Sequence, residues 1–279
     1  MMSLLVYTFP KRMLRPFQKL AKTAHRISRG QLKERIQVEH HDDEIGMLAQ
    51  CLNTAFDQYQ KLADRMKQFG SDASHQLRTP LSGLRTTGEI CLQKERSPEE
   101  HEETIAHMLE ETQRLTHIVE QLLILSRLDE TARTLDFKEI SLNKVIDNIV
   151  EQYKLLCEDK KITLHTERSF SVTLKGDELL LNQVFANLLD NAIRFTPEHG
   201  TISISTHNKN PGHVVCSISD TGPGIPPAFR DKIFERFSQL PQSHNEGAGL
   251  GLAIVADIIK LHGGTIRVLE NPHGGANIE

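Results

Sequence analysis

No apolar run in the 279-residue sequence approaches the roughly 18–20 residues that span a bilayer. A complete membrane-crossing helix is therefore not expected. Net positive charge is also lacking. A formal charge of −4 supplies no basic field, which argues against direct nucleic-acid binding. The four cysteines, Cys51, Cys91, Cys157 and Cys216, are widely spaced with no C-x-x-C pair. Neither a disulfide framework nor a cysteine zinc site fits them, and a reducing compartment does. Internal repeats and low-complexity tracts are missing too. What remains is 38% hydrophobic and 25% charged, the balance of a folded, helix-rich chain of two or three domains.

The start, "MMSLLVYTFPKRMLRP", is a short apolar stub followed by Lys11, Arg12 and Arg15. Two readings stand for residues 1–9: a frayed terminus, or the tail of a membrane helix with cytoplasmic basic residues behind it. Residues 14–63 then read as two amphipathic helices. Leu14, Phe17, Leu20, Ala24 and Ile27 mark one face, and Leu48, Cys51 or Leu52, Ala55, Tyr59 and Leu62 mark the other. Between them, the adjacent His40, His41, Asp42 and Asp43 of "EHHDDEIG" read as a solvated connector rather than a metal site.

Apolar residues continue at three- and four-residue steps through Leu62, Met66, Phe69, Ala73, Leu77, Pro80 and Leu84, a seam of bundle type. Pro98, after Ser97 and before a run of glutamates, restarts a helix. Its stripe is Ile105, Met108, Thr112, Leu115, Val119 and Leu122. Two long antiparallel helices with narrow seams predict a homodimeric four-helix bundle. From about residue 133 strand-like runs alternate with helices, which predicts a separate α+β domain after a linker near 130–138.

Three stretches of that domain carry chemistry. In "NQVFANLLDNAIRFT", Asn187 and Asn191 lie one turn apart, and their amide oxygens suit a hard cation such as Mg²⁺. Arg194 and Phe195 follow, offering a phosphate contact and an aromatic surface. In "VVCSISDTGPGIP", Asp220 ends an otherwise apolar strand face, where an adenine amino group is a fitting partner. Gly222 and Gly224 then let backbone approach a ligand. In "GAGLGLAIVADIIKLHGG", Gly247, Gly249 and Gly251 open a helix, so free N–H groups converge as an anion site. It is not a P-loop. Phe234 and Phe237 precede a polar segment that reads as a mobile lid.

In this order, the three stretches resemble the N, G1, F and G2 boxes of bacterial sensor histidine kinases, whose nucleotide domain is related to those of gyrase and Hsp90. "SHQLRTPL" resembles their H box, and residues 10–63 resemble the HAMP relay module, with Pro16 early in its first helix. The resemblance covers nearly the whole chain. It implies a multidomain protein: all-α HAMP helices and a dimerisation hairpin (64–132), then an α/β sandwich that binds ATP (133–279). It implies His75 as phosphoacceptor, Gln76 as its neighbour and Thr79 as the residue that orients water in relatives with phosphatase activity. It further implies that Asn191, aided by Asn187, holds Mg²⁺, that Arg194 contacts phosphate, that Phe195 packs on adenine and that Asp220 binds its amino group. Gly222, Gly224, Gly247, Gly249, Leu250, Gly251 and Leu252 shape the pocket and lid. Partners are a second copy and the receiver domain of a response regulator. The full-length protein would sit in the bacterial inner membrane, with this portion cytoplasmic.

Two departures stand out. The residue after the histidine is usually acidic in these kinases, and Gln76 can orient an imidazole but cannot take its proton. The chain also stops at "GGANIE", where relatives continue their last strand, which suggests a fragment. A non-catalytic ATP-binding relay, favoured only by Gln76, and a gyrase- or Hsp90-type ATPase are the alternative readings. Pro80 removes a helical hydrogen bond just beyond His75, so a bend is expected there.

Overall fold

The computed structural model describes residues 17–37, 43–93, 97–131, 137–168, 172–210, 213–240, 247–271 and 274–279. The apolar stub, His40, His41, Asp42 and the centre of the expected lid (241–246) lie outside them. Residues 1–74 and 75–279 form two compact units.

In the first unit, helix α1 (17–28) ends at Gly30, whose φ of +99° only glycine adopts without strain. Helix α2 (Glu44–Gln93) starts where Asp43 caps it, its Oδ1 accepting the Gly46 N–H at 2.6 Å. The core here is Leu20, Ile36 and Ala49, with Ile45, Leu52 and Phe56 packed against it. The stripe read from sequence on α2 is thus displaced, since Leu48, Tyr59 and Leu62 are exposed. That helix carries two apolar stripes, and the one meeting α1 and Ile36 is buried. Asn53 holds the connector by both of its amide atoms, accepting from Ile36 N and donating to Ile36 O, each at 2.9 Å. Arg35 adds a bond to Asp57 Oδ1 (2.7 Å) and one to Gln60 Oε1 (2.7 Å).

In the second unit, α2 continues helical through Pro80, and α3 (Pro98–Thr131) returns beside it. Ser97 and Glu100 form a reciprocal cap: Ser97 N donates to Glu100 Oε2 (2.9 Å) and Glu100 N to Ser97 Oγ (3.2 Å). Thr104, Ile118, Leu125 and Leu128 are buried on α3, whereas Ile105, Leu109, Val119 and Leu123 are exposed. The expected stripe through Ile105 and Val119 therefore faces outward within one chain. The helix has two apolar stripes on nearly opposite faces, and periodicity alone does not say which one the single chain buries.

Beyond residue 137 the domain is a two-layer sandwich. Strands β1 (Lys138–Ser141) and β3 (Thr173–Gly176) pair antiparallel as a small separate sheet. The main sheet has the order β2-β4-β5-β7-β6. Its strands are β2 (Thr163–Arg168), β4 (Thr201–Asn210), β5 (His213–Asp220), β6 (Val268–Leu269) and β7 (Asn277–Ile278). Among the described residues only β2 and β4 run parallel. Alternation along β4 turns Ile202, Ile204 and Thr206 inward and leaves Thr201, Ser203 and Ser205 on the other face. Helices α4 (Leu142–Asp159), α5 (Glu178–Phe195) and α6 (Gly251–Leu261) form the second layer. Ile146, Leu189, Ile254 and Ile258 of the helices and Ile202 and Ile204 of the sheet are all fully buried. Each such side chain is worth about 1.5–3 kcal/mol of transfer energy, which outweighs any single surface contact.

Candidate functional site

Helix α5 carries the amides. Asp177 caps it, accepting from Leu180 N at 3.1 Å, and Leu181, Val184, Leu188 and Leu189 bury one side. The 187/191 edge then faces α6. Asn187 is 3% exposed, donating from Nδ2 to Gly251 O (3.2 Å) and accepting from Gln183 Nε2 at Oδ1 (3.0 Å). Asn191 is half-buried. A Cβ on Gly251 would lie 3.8 Å from Asn191 Nδ2 and 3.9 Å from Asn187 Cβ, so both amides border the glycine turn.

Asp220 lies at the end of β5. Its Oδ1 accepts from Gly222 N (2.8 Å) and Ala276 N (3.1 Å), while Oδ2 has no hydrogen bond among the described residues. Burial raises its pKa above the ordinary carboxylate value, against the opposing pull of those two N–H groups. A desolvated carboxylate oxygen lacking a donor fits an adenine amino group. Phe195, 37% exposed, ends α5 next to it: a Cβ on Gly222 would come within 2.7 Å of Phe195 O. Gly224 has φ +76°, and a Cβ there would lie 2.8 Å from Gly275 O.

The triple-glycine turn closes the remaining side. Gly249 has φ +67°, and a side chain there would strike Ser238 O at 2.6 Å. Gly249 O accepts from Phe237 N (2.8 Å), tying the turn to the segment before the expected lid. Leu250 is completely buried and its carbonyl accepts from Ile254 N, which starts α6; Leu252 is half-buried. The Arg194 guanidinium lies beside Gly247, 2.5 Å from where a Cβ would stand. Asn187, Asn191, Arg194 and the glycine turn therefore gather at the α6 N-terminus, with Phe195, Asp220, Gly222 and Gly224 around the end of β5. Amide oxygens, a guanidinium and a free carboxylate oxygen match a nucleotide with its cation. Among the described residues no three His, Cys, Asp or Glu side chains cluster as a metal site.

His75, Gln76 and Thr79 stand apart on α2. His75 is exposed, Gln76 half-buried and Thr79 exposed, its hydroxyl donating to His75 O at 3.3 Å. Pro80 is buried. Pro80 has no N–H for the Gln76 carbonyl four residues back, so the helix beyond His75 lacks one rung.

Some site residues escaped the sequence reading. Gly275 and Ala276 cradle Asp220, and Asn271 Nδ2 donates to Asp220 O (3.1 Å). The paired glycines of "NPHGGANIE" were the available signal. Gln121 of α3, 6% exposed, has its Nε2 2.8 Å from His117 Nε2 and 3.8 Å from a Cβ position on Gly251. A polar residue within an amphipathic stripe gives no sequence signal of that kind.

An α/β sandwich with an amide helix, a half-buried aspartate turn and a glycine-opened helix, preceded by a helical hairpin bearing an exposed histidine, defines a nucleotide-binding class. Residues 176–279 match the histidine kinase-, DNA gyrase B- and HSP90-like ATPases, residues 65–131 the His kinase A phospho-acceptor domain, and residues 11–58 the HAMP domain. Sensor protein CopS of Pseudomonas syringae pv. tomato is 36% identical over 85% of this chain and 48% of its own. The probable sensor histidine kinase TcrY of Mycobacterium tuberculosis is 34% identical, over 94% of this chain and 58% of its own. The chain thus spans about half the length of these relatives. Histidine kinase ThkA, in its complex with response regulator protein TrrA, superposes with a TM-score of 0.66 at 25% identity, over 80% of this chain and 64% of ThkA. The chain belongs to the bacterial sensor histidine kinases, with HAMP, phospho-acceptor and ATPase domains. Among the described residues no helix is long and apolar enough to cross a membrane.

Proposed function

We propose that this chain is the ATP-dependent kinase portion of a two-component sensor. His75 attacks the γ-phosphorus of ATP, the bond from that phosphorus to the β-γ bridging oxygen breaks, ADP leaves, and the imidazole sheds its proton to solvent. Gln76 holds the ring but takes no proton. The work of the site is positioning and charge neutralisation. Asn191, with Asn187 behind it, would hold Mg²⁺, which offsets phosphate charge when bound. Arg194 contacts phosphate, Phe195 covers the adenine face, and Asp220 accepts from the adenine amino group. The glycines at 222, 224, 247, 249 and 251, with Leu250 and Leu252, shape the pocket.

The phosphoryl group then passes to an aspartate of a response regulator, a reading supported by the ThkA–TrrA complex. Thr79 would orient water for a phosphatase reaction, in which water attacks the aspartyl phosphate of the regulator and inorganic phosphate leaves. The working form is a homodimer, because Ile105, Leu109, Val119 and Leu123 of α3 are left exposed in one chain. In the whole protein this portion lies on the cytoplasmic side of the inner membrane.

The observation that carries the reading is the donorless Oδ2 of half-buried Asp220, within a pocket otherwise built from amides and a glycine turn. The chain is incubated with Mg²⁺ and γ-labelled ATP beside His75→Gln. Acid-labile, base-stable label lost in the variant is the expected result. ATP binding without label would instead favour the relay reading that Gln76 suggests.

A further inference from the structure

Helices α5 and α6 are tied together at both ends of α6. At one end Asn187 Nδ2 donates to Gly251 O at 3.2 Å. At the other, Asp177 N donates to His262 Nε2 at 3.1 Å. Asn187 lies ten residues beyond Asp177 and Gly251 eleven before His262, spans of about 15 and 16 Å at helical rise. The helices are therefore antiparallel and fixed in register by two cross-bonds of nearly equal separation.

The His262 end is built for this bond. Its Nδ1 lies 2.9 Å from Ile258 O, which only accepts, so the proton is on Nδ1 and Nε2 presents a lone pair to Asp177 N. The Phe137 ring stacks on the imidazole, centroids 4.8 Å apart and planes 25° apart, and sets its tilt. Gly176 admits the ring: a Cβ there would stand 3.0 Å from His262 Cδ2 and 3.1 Å from Nε2. Gly263, with φ +73°, turns the chain away directly after it.

We propose that His262 is a positioning residue for the cation end of the nucleotide site. It acts through α5: by holding the start of that helix to the end of α6, it stops the two helices sliding. Asn187 and Asn191 then keep their place beside the glycine turn. Asp220 sits at the end of the sheet, held by Gly222 N and Ala276 N, so the polar anchor of the adenine does not depend on this tie. The inference rests on the nucleotide reading above.

The test is calorimetric titration of the chain with a non-hydrolysable ATP analogue in Mg²⁺ and, separately, with ADP in EDTA. His262→Ala is expected to weaken the Mg²⁺-analogue by about tenfold, the scale of one lost hydrogen bond, and metal-free ADP by less than about twofold. His262→Gln, whose Oε1 can accept from Asp177 N, is expected to recover most of the loss. Phe137→Leu, which keeps the histidine, should give a smaller loss of the same cation-linked kind and decides the matter if His262→Ala does not fold. Equal weakening of both nucleotides, or of neither, overturns the proposal, as does an Nε2–H tautomer in ¹H–¹⁵N spectra of the His262 ring. Wild-type chain that binds neither nucleotide would instead refute the nucleotide reading itself.

Discussion

Gly274 and Gly275 offer a paired experiment on the adenine end of the pocket. Both have left-handed backbone, at φ +80° and +82°. Alanine there costs each about 1 kcal/mol or somewhat more in backbone strain. Their surroundings differ completely. A Cβ on Gly274 meets nothing within 4 Å, whereas one on Gly275 would fall 1.8 Å from Asp220 O and 2.9 Å from Asp220 Oδ1. The obstacle at Gly275 is backbone, so the chain itself must move. Moving it pulls Ala276 N and Gly222 N out of line with Oδ1, and each such bond is worth about 1 kcal/mol net. Gly275→Ala should therefore cost about 3 kcal/mol and Gly274→Ala about 1 kcal/mol. For a domain of this size that is a fall of roughly 10 °C against roughly 3 °C. Scanning calorimetry of the whole chain reads the transition, and titration with metal-free ADP reads the pocket. Gly275→Ala should also lose adenine binding by more than about tenfold, because Asp220 is displaced, while Gly274→Ala should leave it unchanged. Equal destabilisation by the two substitutions would refute the steric argument.

Two further outcomes follow from the geometry. Burial raises the folded-state pKa of Asp220, so the fold penalises its ionised form, and that penalty is relieved as pH falls through the folded pKa. The acceptor is lost over the same range. Adenine affinity should be full above the folded pKa and decline below it, at a pH higher than an ordinary aspartate would give, and Asp220→Asn should be weak at every pH; titration across pH checks both. In the relay domain, Asn53→Ala leaves Ile36 N and O without their partners and should destabilise that unit by about 1–3 kcal/mol, seen as an earlier calorimetric transition.

The parts legible in the sequence were those where one local rule decides the outcome. Ser97-Pro98 before glutamates specified a helix start, and the reciprocal Ser97–Glu100 cap realises it. Period-2 alternation in "TISIST" and "HVVCSIS" specified β4 and β5 and placed Asp220 at the end of an apolar face. The glycine turn likewise announced α6. What stayed hidden depended on contacts distant in sequence. Asp177 meets His262 across 85 residues, and Ala276 meets Asp220 across 56. No periodicity encodes either pairing.

The helical stripes failed for a different reason. On α3 the inward set, Thr104, Ile118, Leu125 and Leu128, and the outward set, Ile105, Leu109, Val119 and Leu123, are each spaced as a helix core should be. A sequence with one such stripe folds as a monomer; a sequence with two has committed apolar surface to a second partner. About four large side chains left in water on one face is a cost of order several kcal/mol per chain. Covering that face recovers it, and the stripe read from the sequence, through Ile105 and Val119, shares residues with the outward set alone. Two apolar stripes, of which the single chain buries one, leave a second face to be covered, as the proposed homodimer would cover it.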